Sequence, residues 1–244
     1  MRNMIKLETD YLVIGSGAMG MAFVDEMLNG SSSHGNNQLT EFILVDKHAK
    51  PGGHWNDAYQ FVTLHQPAAY YGVNSKHLGE GGKDLVSKSQ ILSYFELVLK
   101  DFLATGRVKF YSLCEYVGEN KFKSLVDDSV EYEVTVKKKT VDSTYMDVRV
   151  PSTTKPKFNI APDVTLVPVN GLMSIRSPWE KYVVLGSGKT GIDAVLFLLN
   201  QNVDPNKILW IMPNDAWLMN RDTLHPDLME ATTLTMMNVL TRYN

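Results

Sequence analysis

The chain has 244 residues, with 24 Lys and Arg against 27 Asp and Glu and a formal net charge of −3. That balance supplies no basic field for nucleic acid. One Cys excludes a disulfide framework, a thiolate zinc site, an iron–sulfur cluster and a redox pair within the chain, and the six His show no H-x-x-x-H spacing for a metal. The longest apolar run of the last helical motif, residues 194–199, is six residues, against about 20 for a membrane span. Residues 1–10 carry charges and no apolar signal core. The expectation is a cytoplasmic globular protein with no membrane and no nucleic-acid partner, long enough for one large or two small domains.

In chain order, residues 11–14 predict a short apolar strand and residues 18–28 a helix. Residues 30–38, GSSSHGNNQ, are turn-forming and polar and predict a loop. Residues 42–45 predict a second strand, completing a βαβ unit whose continuous apolar strands suit a parallel sheet buried on both faces. Ile91, Leu92, Phe95, Val98, Leu99 and Phe102 recur at helical spacing across residues 89–105, and Gly106 is the stop. Residues 108–113 predict a strand. Residues 122–150 alternate, with Tyr132, Val134 and Val136 and then Tyr145, Val148 and Val150, and predict an antiparallel hairpin or meander. Lys137, Lys138 and Lys139 read as a solvated hairpin end. Residues 151–168 carry prolines and read as a crossing segment. A strand over 208–212 and a helix over 226–240 close the chain, with Met229, Met236 and Met237 on a helix face.

Residues 11–29, YLVIGSGAMGMAFVDEMLN, and residues 182–200, YVVLGSGKTGIDAVLFLLN, align without gaps. Each reads as strand, glycine turn and helix, so one supersecondary unit occurs twice. In the first copy Gly15-Ser16-Gly17-Ala18-Met19-Gly20 is G-x-G-x-x-G in the context that binds a dinucleotide. The first glycine makes the tight turn, the second admits a pyrophosphate to the backbone, and the third lets helix and strand pack. Helix N-terminal amides supply the anion site. Asp46, with Lys47 beside it, ends the second strand, where an acid accepts from a ribose diol. The alternative is a glycine turn in a non-binding α/β domain. In the second copy Gly186-Ser187-Gly188-Lys189-Thr190-Gly191 repeats the pattern, and Lys189 and Thr190 are candidate phosphate contacts. A P-loop would need glycine at position 183, which is Val183. Asp215 and Arg221 pull the nicotinamide choice in opposite directions, leaving NAD and NADP open.

Two such motifs in one chain resemble the two-dinucleotide-binding flavoproteins. Pro51-Gly52-Gly53-His54-Trp55 looks like the G-G-x-W element of flavin-containing monooxygenase-like and Baeyer–Villiger-like enzymes. The stretch from Leu64 through His65, Gln66 and Pro67 to Gly72 is similar to a flavin-proximal segment of related oxidoreductases. The resemblance implies an α/β fold of two Rossmann-like, three-layer, parallel-sheet units with an antiparallel β-meander crossing. It implies an FAD unit over residues 1–118, a meander and crossing over 119–168, and an NAD(P) unit over 169–244. FAD would lie on the first motif, Asp46, Lys47, Gly53, His54 and Trp55, with His65 and Gln66 near the ring, and NADP or NAD on the second motif. The activity implied is hydride transfer from nicotinamide to flavin and on to oxygen and a small-molecule substrate. The Baeyer–Villiger fingerprint F-x-G-x-x-x-H is missing, since residues 169–173 read VNGLM. In the family the chain returns from the NAD(P) unit to complete the FAD domain, whereas this sequence ends 53 residues after Gly191. The expectation is therefore a C-terminally shortened flavoprotein, completed by a missing segment or a homo-oligomer, or a noncatalytic dinucleotide-binding module. No catalytic side chain is singled out, since the cofactors do the redox chemistry. His54 and His65 have loop packing as their other role, and Trp55 reads as packing. Cys114 reads as a buried apolar residue, and His34 and His48 as exposed.

Overall fold

The computed structural model describes residues 3–30, 40–146, 152, 154–175, 178–214, 217–218, 220 and 222. Of the expected loop over 30–38, Gly30 is the last residue of a helix instead and the rest lies outside these residues, as do the last helix over 226–240 with its three Met, and His34, Asp215 and Arg221. Two compact units emerge, one of residues 1–57 and 67–147 and the other of residues 58–66 and 148–244.

In the first unit, strand β1 runs Asn3–Ile14, eight residues earlier than its apolar end suggests. Residues 3–9 alternate exposed and half-buried positions, as a strand with one solvated face does. Helix α1 covers Ala18–Gly30 and β2 Phe42–Val45, which pairs parallel with β1 from Tyr11↔Phe42 to Ile14↔Val45. A short hairpin, β3 (Gly72–Val73) and β4 (Lys76–His77), is tied to α1 by buried Asp25, which accepts from the Ser75 amide at 2.9 Å and from its hydroxyl. Helix α2, Lys88–Ala104, opens with a capping box in which Ser87 and Gln90 exchange backbone bonds, and stops before Gly106. Strand β5, Val108–Tyr111, pairs parallel with β2.

Strands β6 (Cys114–Gly118), β7 (Lys121–Ser124) and β8 (Val130–Asp142) form the antiparallel meander. Its far strand differs from the expectation. β8 is a single 13-residue strand that also pairs parallel with β1, giving the order β5-β2-β1-β8-β7-β6. Lys137, Lys138 and Lys139 therefore sit inside a strand rather than at a hairpin end. Acids on the neighbouring strand make this tolerable: Lys137 pairs with Glu8 at 2.5 Å, and Lys138 approaches Asp10 at 4.0 Å and lies 5.6 Å above the Tyr11 ring. A register shift between Thr9 and Tyr11 takes up one extra residue of β8.

The sheet must curl. β5 and β6 are its opposite edges, yet only two residues join them. A flat sheet of six strands is about 24 Å wide at about 4.8 Å per strand, whereas three Cα steps reach at most about 11 Å. Curling brings Phe122 of β7, Val134 of β8 and Cys114 of β6 against Leu12, Ile43 and Val45 of β1 and β2. Cys114 is buried, as its apolar neighbours suggest. Phe122 is fully buried and stacks on Tyr132 at 4.5 Å between ring centres. We expect Phe122→Ala to cost about 3–5 kcal/mol, read as a lower urea midpoint at unchanged slope.

The second unit contains β9 (Tyr182–Leu185), helix α3 (Lys189–Asn200) and β10 (Ile208–Ile211), with β9 and β10 parallel from Tyr182↔Ile208 to Leu185↔Ile211. The four residues before Gly186 thus pair with the next strand as the four before Gly15 do. The fold is mixed α/β, with parallel strand–helix–strand connections in both units.

Candidate functional site

The first glycine turn leaves β1 at Gly15, whose amide donates to the Val45 carbonyl at 2.8 Å and whose φ of +92° favours glycine. Gly20, one turn into α1, lies against that turn, and a Cβ there would sit 2.0 Å from the Gly15 oxygen. Directly after β8, Ser143 donates its hydroxyl to the carbonyls of Ile14 and Gly15, at 2.6 and 2.9 Å. Nothing in the spacing of the sequence points to Ser143, because the contact spans 128 residues.

Gly17 faces the G-G-x-W turn. A Cβ on Gly53 would lie 2.8 Å from the Gly17 Cα, so the two backbones meet directly. The Gly52 amide also donates to the Ser16 carbonyl at 2.9 Å. Trp55 is buried, and its indole N–H donates to the Tyr71 hydroxyl at 2.7 Å. Burial pushes the Tyr71 phenol up, against the Trp55 bond that favours ionisation. Trp55 is thus a packed anchor, held by Tyr71. His54 is exposed beside it.

Asp46 is 5% exposed and makes four hydrogen bonds. Its Oδ2 accepts from the Ser16 amide at 2.6 Å and the Ser16 hydroxyl at 2.7 Å. Its Oδ1 accepts from the His48 amide at 2.8 Å and faces His48 Nδ1 at 2.9 Å. Four sites are about all a carboxylate offers. Burial works against its charge, but the bonds from His48 and Ser16 outweigh it and hold the carboxyl below its ordinary value. His48 Nε2 meets Asp57 at 2.8 Å, and the Asp46 bond, opposed by burial and helped by Asp57, raises the imidazole above its ordinary value. The expectation of an exposed His48 is corrected: its side chain is 15% exposed and bridges two carboxylates. An Asp two residues before a His at a strand end is the signal that was there to read. Lys47, between them, is exposed.

The second turn repeats the first. The Gly186 amide donates to Ile211 at 2.9 Å, and a Cβ on Gly191 would lie 2.3 Å from the Gly186 oxygen. Here the Trp210 indole, at 2.7 Å, takes the place of Ser143 on that carbonyl. A Cβ on Gly188 would meet nothing within 4 Å. Ser187 is half-buried and Thr190 exposed. Lys189 pairs with Asp193, whose Oδ2 also accepts from the Tyr59 hydroxyl at 2.6 Å. His65 and Gln66 belong to the same unit as this turn, through the segment 58–66, and not to the unit of the first turn.

Among the described residues no group of three or more His, Cys, Asp or Glu is placed to hold a metal, and no helix is long and apolar enough to cross a membrane.

No family model matches the chain. It is 45% identical over 231 residues to uncharacterized protein Rv2000 of Mycobacterium tuberculosis and to uncharacterized protein Mb2023 of Mycobacterium bovis, covering 90% of this chain and 41% of each relative. The chain thus spans about two fifths of the length of these curated relatives. Among solved structures it is similar to a flavin-containing monooxygenase from Stenotrophomonas maltophilia, with a TM-score of 0.55 and 14% identity over 88% of this chain and 61% of that one. It is also similar to a polycyclic ketone monooxygenase from Thermothelomyces thermophila, with a TM-score of 0.50 and 11% identity over 80% of this chain and 34% of that one. At these identities the likeness is one of fold alone.

Proposed function

We propose that the chain carries the FAD-binding and NAD(P)-binding turns of a flavin-dependent oxidoreductase, with a small organic molecule and oxygen as acceptors. One observation carries this reading: two strand–glycine–helix turns share one register, one amide-to-strand bond and one glycine-on-carbonyl contact.

The first turn fits FAD. Its backbone is bare where Gly17 meets Gly53, and Met19 in the first turn of α1 is 70% exposed, so that helix end is open. First-turn amides have no acceptor within the helix and would receive the pyrophosphate. Asp46 and Lys47 would take the ribose end, and one of the donors now on Asp46 would give way to a ribose hydroxyl. Gly53, His54 and Trp55 would line the approach to the ring. The second turn, Gly186 to Gly191, would take NADP or NAD on its backbone. Bound, the two cofactors supply the electron transfer; the protein binds, orients and excludes water.

The test is anaerobic. Protein reconstituted with FAD and freed of excess is titrated with NADPH and, separately, NADH. The reading expects the flavin band to bleach with one of them at about one equivalent. The relatives' greater length favours a second reading, in which this chain is the noncatalytic dinucleotide-binding part of a longer protein. Retained flavin that neither nucleotide bleaches would favour that reading.

A further inference from the structure

The second turn carries a lysine that is already occupied. Lys189 is the first residue of α3, directly after the cap residue Gly188. It is the one cationic side chain within the motif and the natural partner for a phosphate there. Its ammonium instead pairs with Asp193, four residues on. That partner is about one helical turn, or about 5.4 Å, further from the glycine turn.

The segment after the G-G-x-W turn secures this arrangement. Tyr59 donates to the same Asp193 oxygen at 2.6 Å, and the Lys189 ammonium lies 5.9 Å from the Tyr59 ring centre. Phe61 stacks on Phe197 at 4.3 Å and tilts against Tyr59 at 4.8 Å. Lys189, Asp193 and Phe197 are spaced i, i+4, i+8, so Tyr59 and Phe61 lie along one stripe of α3 that starts at the glycine turn. Burial first, and then Asp193, push the Tyr59 phenol up, so it stays a donor at any ordinary pH. The Asp193 carboxylate therefore has a permanent neutral donor on the oxygen that faces the lysine.

Resting on the reading of this turn as the nicotinamide dinucleotide site, we infer that Asp193, held by Tyr59, is an affinity-setting positioning residue that withholds Lys189 from the phosphates of the ligand. The neutral amide Asn at position 193 keeps a hydrogen bond to Tyr59 but releases the lysine. A released ammonium gains an unscreened phosphate partner at the helix N-terminus, where the field already favours anions.

The experiment is calorimetric titration of the full chain with NADP+, at low salt, for wild type, Asp193→Asn and the double variant Asp193→Asn/Lys189→Met, with thermal unfolding of each. The inference expects Asp193→Asn to bind NADP+ about 5–10-fold more tightly, and the double variant to lose that gain. Binding by Asp193→Asn alone, where wild type shows none, supports it equally. Wild-type binding that is unchanged or weaker in a folded Asp193→Asn variant overturns the inference and leaves the site reading standing. If Asp193→Asn lowers the unfolding temperature beyond use, Lys189→Met alone decides: the inference requires wild-type affinity to fall less than twofold, and a tenfold loss overturns it. Absence of NADP+ binding in every variant overturns both.

Discussion

Gly17→Ala will leave the protein folded and weaken its hold on FAD, whereas Gly20→Ala will destabilise the first unit's glycine turn. The two glycines share a motif but do different work. A Cβ on Gly17 meets its nearest backbone atom at 3.5 Å, an ordinary contact, so the substitution costs little in stability. The added methyl group points at Gly53 and crowds the bare backbone that the reading sets beside the pyrophosphate, and we expect affinity to fall by at least about tenfold, or about 1.4 kcal/mol. A Cβ on Gly20 would lie 2.0 Å from the Gly15 oxygen, which is backbone and cannot swing away. A 2.0 Å contact with backbone puts the overpacking cost at or above the upper end of the usual range, about 3 kcal/mol or more, and alanine's helix preference returns only about 1 kcal/mol. A net loss of about 2 kcal/mol or more should appear in urea unfolding. If Gly17→Ala retained FAD at wild-type affinity, the first turn would not be a pyrophosphate site.

Asp46→Ala is expected to be the most damaging polar substitution. It strands the Ser16 and His48 amides, the Ser16 hydroxyl and the His48 ring, with Ser16 fully buried. Each buried group left unpaired costs about 1–3 kcal/mol, so a loss of about 3 kcal/mol or more is the expected result. The pH dependence has two limbs of known sign. Asp46 is held below its ordinary 3.8, so its contribution is present above that value and is lost as pH falls through the lower folded value. His48 is raised above its ordinary 6.5, so its contribution is complete below 6.5 and is lost as pH rises through the higher folded value. The difference in unfolding temperature between wild type and His48→Gln should therefore be largest near pH 6 and shrink toward alkaline pH. A difference that grows with pH would show that the imidazole is not the charged bridge between Asp46 and Asp57.

Local patterns carried far into the structure. The strand at Phe42–Val45, the helix at Lys88–Ala104 and both glycine turns were legible because each is decided within a few residues, by an apolar run, a cap or a glycine. What was not legible depends on pairing across long separations. Residues 3–9 lack a continuous apolar run and become a strand only because β8 lies beside them, more than 120 residues later. The three lysines of β8 look like a turn until Glu8 and Asp10 are placed opposite. The same holds at the sites. The glycines announce themselves, but Ser143, Tyr71 and Tyr59 become meaningful only when the fold brings them to a carbonyl, an indole or a carboxylate. His48 is the intermediate case, since its partner is two residues away and only its burial is tertiary.

The central claim is that the first turn holds FAD, and flavin stoichiometry tests it most directly. Residues 1–244 are incubated with FAD, passed through a desalting column, and the visible spectrum is compared with the protein concentration. The account predicts about one flavin per chain, with a band shape changed from that of free FAD. A spectrum without retained flavin, from protein whose unfolding transition shows it intact, would contradict it.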